Sequence, residues 1–165
     1  MKSKLKHYAK EILFFVITMT IIANLLSFYK SQDLTDTPLR LATLQLIDNS
    51  TYKFPSDKPV LIHFWATWCP TCKVEAANIE FISKYFEVIT IAVDSGTSDE
   101  LNNYMKEKEY SYRVVNDSLK HLSREFNIAG FPTTFIYNKE KKLIFSEVGY
   151  TSIVGLYLRM WWASL

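Results

Sequence analysis

Cysteine and histidine are scarce in this sequence. The 165-residue chain has two Cys and three His. A structural zinc site needs four ligands, and the histidines are scattered at positions 7, 63 and 121, so the chain is poorly supplied for one. A disulfide framework shows several cysteine pairs at wide spacing. Here one pair, Cys69 and Cys72, would close only a tiny loop. Such a bridge constrains little of the unfolded chain and makes a poor staple. Attachment of a c-type haem requires a His directly after the second Cys; Lys73 stands there. No basic stripe with interleaved aromatics appears, which removes the case for nucleic acid. Internal repeats are missing, and no segment is of low complexity apart from one apolar run near the start.

What is present supports one packed domain plus an appendage. Apolar residues make up 48% and aromatics 15% of the chain, enough to build a core. The formal charge of +2 is unevenly spread. Residues 1–30 hold Lys2, Lys4, Lys6, Lys10 and Lys30 against Glu11, a net of +4, and the rest of the chain is net −2. Residues 12–29, ILFFVITMTIIANLLSFY, are 18 uncharged positions. As a helix they would reach roughly 27 Å, close to the hydrocarbon thickness of a bilayer. A cleaved signal is the rival reading. Its apolar region is usually shorter and ends in a small-residue site, whereas the chain after Ala23 reads NLLSFYKS. The expectation is therefore a basic cytoplasmic tail (1–11), a transmembrane anchor (12–29), a polar linker (30–40) and a domain (41–165). The positive-inside rule puts the basic tail in the cytoplasm and the domain on the far side of the inner membrane, in a periplasm or its equivalent. Asn24 within the span can pair with another helix or sit near the interface.

Beyond the linker, Thr43–Asp48 and Thr51–Phe54 around Asn49-Ser50 read as a hairpin. VLIHFW (60–65) and VITIAV (88–93) read as buried strands. Residues 72–86 carry apolar positions at helical spacing. Ser98 reads as the cap of a polar helix to Lys108, followed by a short strand at 112–115. Asn116-Asp117-Ser118 reads as the cap of a helix through Phe126. Strands at 133–137 and 143–147 flank the charged turn NKEKK and must be antiparallel. An amphipathic helix over 151–163 closes the chain. Alternating strands and helices predict an α/β fold with a central sheet.

The two cysteines lie where the first buried strand gives way to a helix. The helix N-terminus, with its partial positive charge and free N–H groups, favours thiolate. This makes Cys69 the expected nucleophile and Cys72, one turn on, the resolving thiol. Pro70 fits the first turn. Trp68 would shade the pair and offer an apolar platform. Two thiolates are also soft enough to hold Cu(I), which keeps a copper-handling reading open.

VLIHFWATWCPTC, followed some 60 residues later by GFPTTFIY, resembles the thioredoxin fold. The helix and strand inserted at 98–115 and the N-terminal anchor resemble its membrane-anchored, TlpA-like periplasmic branch. The closing GYTSIVGLYLRMWWA is similar to protein disulfide oxidoreductases linked to suppression of copper sensitivity (the D type). The resemblance implies a three-layer α/β/α arrangement around a mixed sheet with an N-terminal hairpin. It also implies a cis Pro132 packed on the disulfide, with Phe131 and Thr133 beside it to receive an incoming peptide. Its relatives carry a Glu where Glu75 stands. A partly buried carboxylate there could shuttle the proton of Cys72; the alternative is a solvated helix residue. His63 stands where thioredoxins carry a buried Asp, so it is either a base, a positive charge that stabilises thiolate, or a satisfied core histidine. The implied activity is thiol–disulfide exchange with protein substrates, in the reducing direction. It would be fed by a transmembrane electron donor, with the Cys69–Cys72 disulfide and no further cofactor or metal.

Overall fold

The computed structural model describes Tyr8, residues 10–12, Phe14, Phe15, Thr18, Ile22, Leu39 and residues 41–165. The apolar run 12–29 lies largely outside the described residues. Among these, no helix is long and apolar enough to cross a membrane. The chain order is β1 (Thr43–Gln45), β2 (Thr51–Lys53), β3 (Val60–Trp65), α1 (Pro70–Ser83), β4 (Glu87–Val93), α2 (Ser98–Glu107), β5 (Arg113–Asp117), α3 (His121–Glu125), β6 (Thr133–Tyr137), β7 (Leu143–Val148) and α4 (Ile153–Ala163). The folded unit reaches back at least to Leu39, which is buried and donates its N–H to Lys141 O. Part of the expected linker therefore belongs to the domain.

Five strands form one mixed sheet in the order β5-β4-β3-β6-β7. β3 runs parallel to β4 and antiparallel to β6, and β7 is antiparallel to β6. The central strand VLIHFW is buried at every position, as expected for a strand covered on both faces. Side chains alternate across it. Leu61 and Trp65 point to a core shared with Ile79 and Ile82 of α1, Leu101 of α2 and Leu156 of α4. Val60, Ile62 and Phe64 point to a second core with Tyr52, Phe54 and Phe126. Three helices thus cover one face. The other is covered by the hairpin β1–β2 and the short α3, so the third layer is only partly helical.

Several local expectations shift. The hairpin strands are shorter than the sequence implied, because Ile47 leaves the pairing and gives its N–H to Val114 O at the sheet edge. The cap of α2 is Thr97, not Ser98. Thr97 and Glu100 form a reciprocal capping box, which satisfies two free N–H groups at once. The helix after β5 shrinks to five residues behind a left-handed Lys120. The carboxylate of Asp117 still caps it at a distance, accepting from Leu122 N at 3.2 Å and Ser123 N at 2.8 Å. Finally, α4 is apolar on both faces. It buries Leu156, Met160 and Ala163 while Val154, Leu158, Trp161 and Trp162 remain exposed.

Candidate active site

β3 ends at Trp65 and delivers the chain directly to the start of α1. Cys69 is the N-cap of that helix and Pro70 opens its first turn. Cys72, inside the turn, donates its N–H to Cys69 Sγ at 3.2 Å, and the two sulfurs form a disulfide. Both cysteines are almost wholly buried, Cys69 at 5% and Cys72 at 2% exposure. The helix field and this N–H both act on the sulfur of Cys69 and stabilise negative charge there.

The cover over the disulfide comes from two loops. Trp68 is half exposed and tied down through Nε1 to Asp94 O at 3.0 Å. Its ring meets Phe131 edge to face at 5.7 Å between centroids. The Phe131–Pro132 peptide is cis, and Phe131 O lies 3.7 Å from Cys69 Sγ. Pro132 O accepts from Gly149 N, and Thr133 Oγ1 donates to Gly130 O at 2.7 Å, which fixes the loop on both sides. Phe131 is thus held against Cys69, with Trp68 across from its ring and Pro132 and Thr133 following it in the chain.

A groove of about 490 Å³ opens from Trp68 and Phe131 toward α3. Its apolar surface comes from Val93 and Ile128, and its rim from Asp94, Lys120, Arg124 and Asn127. Asp94, Lys120 and Asn127 all hold left-handed backbone, a conformation that non-glycine residues rarely adopt outside specified turns. Sequence reading missed this groove, since its residues come from four separate loops, the end of β4 and α3.

Beneath the disulfide, the sheet register assembles a polar row. Thr90, His63, Thr134 and Glu147 are successive cross-strand partners and therefore share the helix-covered face. His63 Nδ1 and Thr134 Oγ1 share a hydrogen bond of 2.9 Å. Burial pushes the His63 imidazole down to about 3, so it is neutral at pH 7. The reading in which its positive charge stabilises thiolate does not fit this environment. Glu75 of α1 is fully buried and accepts Thr151 N at 3.1 Å through Oε1. Among the described residues its Oε2 has no hydrogen-bond partner. Burial, reinforced by the nearby Glu147 carboxylate, pushes the Glu75 carboxyl up to about 8 even though Thr151 N opposes the shift. A solvated helix position is thus ruled out for Glu75. Asn78 anchors the same loop by donating to Thr151 O at 2.8 Å, and Glu147 pairs with Arg159 of α4.

Residues 32–146 match the AhpC/TSA family. The chain belongs to that family. Within it, the chain is similar along nearly its whole length to a thioredoxin-like protein of Haemophilus influenzae, 28% identical over 164 residues and covering 97% of each chain. It is 31% identical over 138 residues to the thiol:disulfide interchange protein DsbE of the same organism, covering 76% of each. Among solved structures it resembles a thioredoxin-family thiol:disulfide interchange protein of Chlorobium tepidum, with a TM-score of 0.70, 25% identity, and coverage of 79% of this chain and 98% of that one. This AhpC/TSA family member is a thiol–disulfide oxidoreductase with a thioredoxin-like fold. Among its described residues, no group of three or more His, Cys, Asp or Glu is placed to hold a metal ion.

Proposed function

We propose that the protein is a membrane-anchored reductase of protein disulfides, with its domain in the periplasm. The observation that carries the chemistry is the N-cap position of Cys69, whose sulfur receives the Cys72 N–H at the start of α1. In the reduced enzyme, Cys69 thiolate attacks one sulfur of a substrate disulfide. The substrate S–S bond breaks, the far sulfur leaves as thiolate, and a mixed disulfide joins Cys69 to the substrate. Cys72 then loses its proton and attacks Cys69 Sγ. The mixed disulfide breaks, the second substrate thiolate departs, and the enzyme is left as the Cys69–Cys72 disulfide. Two electrons have passed to the substrate. A membrane protein bearing a dithiol must return them.

In its ionised form, which gains population as pH rises toward 8, Glu75 takes the proton of Cys72 in this scheme. A carboxyl titrating near 8 is matched to a thiol of ordinary pKa about 8.5. Phe131 and Thr133 flank the cis proline and present backbone to the substrate chain, and Trp68 and Pro70 form its apolar contact. His63 orients Thr134 as a neutral group and exchanges no proton at pH 7. The anchor reading rests on the apolar run 12–29 and its basic flank. The name of one relative, thiol:disulfide interchange protein DsbE, supports thiol–disulfide exchange as the reaction. Cu(I) carriage by the two thiolates is the alternative.

Trapping tests the assignment. Cys72→Ser expressed in cells should accumulate mixed disulfides that a thiol reductant releases, and Cys69→Ser should accumulate none. Adducts on Cys69→Ser but not on Cys72→Ser would reverse the roles. Adducts on neither, with Cu(I) bound stoichiometrically by the reduced protein, would favour the copper reading.

A further inference from the structure

The C-terminal helix α4 has an apolar surface that the redox chemistry does not use. At 100° per residue, Val154, Leu158, Trp161 and Trp162 fall opposite the buried Leu156, Met160 and Ala163, and Tyr157 lies at the edge of this face with its ring against Phe86. All five are exposed, Trp162 at 63% and Leu158 at 56%. A helix that is apolar all round is ordinarily buried all round, and contiguous exposed apolar surface marks a contact site. The one charged side chain of this helix, Arg159, turns inward to Glu147.

The position of this face in the fold identifies its occupant. The end of α4 borders the β6–β7 turn, where Asn138, Lys139, Trp162 and Leu165 line one shallow cavity of about 380 Å³. The chain enters the domain at the same turn, through the bond from Leu39 N to Lys141 O. The ten residue steps from Tyr29, the last residue of the apolar run, to Leu39 span at most about 35 Å when fully extended. Tyr137 before the turn pairs with Val60, whereas Thr133 pairs with Phe64. The turn therefore lies at the opposite end of the sheet from Cys69.

We propose that the C-terminal end of α4, with Leu158, Trp161 and Trp162, rests on the lipid bilayer interface, so that the domain sits on its own membrane with the cysteine pair directed away from it. This rests on the anchor reading above. Tryptophan and tyrosine favour the headgroup level, where an apolar ring and a polar tip are both satisfied. The charges at this end are mixed, with exposed Lys58, Lys139 and Lys142 alongside Asp57 and Glu140. Contact is therefore driven by burial of the rings, and salt should change it little.

The test is tryptophan fluorescence of the full chain reconstituted into phosphatidylcholine–phosphatidylglycerol vesicles, with lipids brominated at shallow acyl positions as quencher. The expected result is quenching of up to about half the emission, insensitive to salt, and lost in the Trp161→Phe/Trp162→Phe double variant; the remaining Trp65 is buried and Trp68 lies at the far end. The double variant should still turn over a small disulfide at the wild-type rate. If the protein inserts into vesicles but bromine does not quench it, the docked orientation is wrong and the anchor stands. If the protein does not remain with the vesicles, the anchor reading fails and the docking falls with it. Dimerisation of wild type that is abolished in the double variant would assign the face to a second copy and overturn the proposal.

Discussion

At the scale of single residues, the two buried ionisable groups near the cysteines give opposite pH dependences. Glu75 titrates near 8 in the fold against an ordinary 4.5. The unfolded chain releases this proton first, so the associated stability is complete below pH 4.5 and is lost as pH rises toward 8. His63 titrates near 3 against 6.5. The folded state resists its protonation, so that stability is present above 6.5 and is lost as pH falls toward 3. Between 4.5 and 6.5 the two slopes cancel, and these groups predict a plateau there. Urea denaturation across pH should show Glu75→Gln gaining stability over wild type at pH 8 relative to pH 5, by about 1–4 kcal/mol. No gain would mean that Glu75 is not the buried, proton-holding group described above. The same variant should slow resolution of the mixed disulfide on the order of 10²-fold at neutral pH and lose the titration near 8 from its rate profile. A profile unchanged in shape would leave Glu75 a structural role only.

At the scale of elements, the ends of helices hold the surroundings of the site in place. The capping box on α2 predicts that Thr97→Ala costs about 1 kcal/mol in denaturant unfolding. Ser98→Ala should cost markedly less, since Ser98 lies inside the helix. Asp117 is buried, and its carboxylate holds two N–H groups of α3 beside the groove. Asp117→Ala should cost about 1–3 kcal/mol and loosen α3, read as faster amide exchange at Leu122 and Ser123. The central strands were legible because VLIHFW and VITIAV carry their burial in their own composition. The start of α1 was legible from Cys69-Pro70. The Thr97 cap was legible too, in the T-x-x-E spacing from Thr97 to Glu100, but Ser98, the better cap on propensity alone, masked it; the shortening of α3 was not, because Lys120 gives no sign of left-handed backbone. The outward face of α4 was misread for a related reason: apolar residues at helical spacing do not reveal which of them the rest of the fold covers.

At the scale of the whole molecule, the polar row of Thr90, His63, Thr134 and Glu147 is a product of register. Its members are separated by up to 84 positions in the sequence, from His63 to Glu147, and only the pairing of β4, β3, β6 and β7 lines them up under α1. This is why Glu75 and His63 were candidates in the sequence while Glu147 and the groove toward α3 were not. The fold also separates two ends. One presents Cys69, Trp68 and Phe131; the other carries the entry of the chain at Leu39 and the tryptophans of α4.

The direction of electron flow is the central functional claim, and the redox state of the pair in living cells tests it most directly. Cells are quenched with acid, free thiols are alkylated with a reagent that adds mass, and Cys69 and Cys72 are read on a gel. The account predicts a mostly reduced pair despite an oxidising compartment, because a membrane donor continually supplies electrons. A pair that stays oxidised while that donor is present and active would contradict it and make the protein an oxidant of its partners.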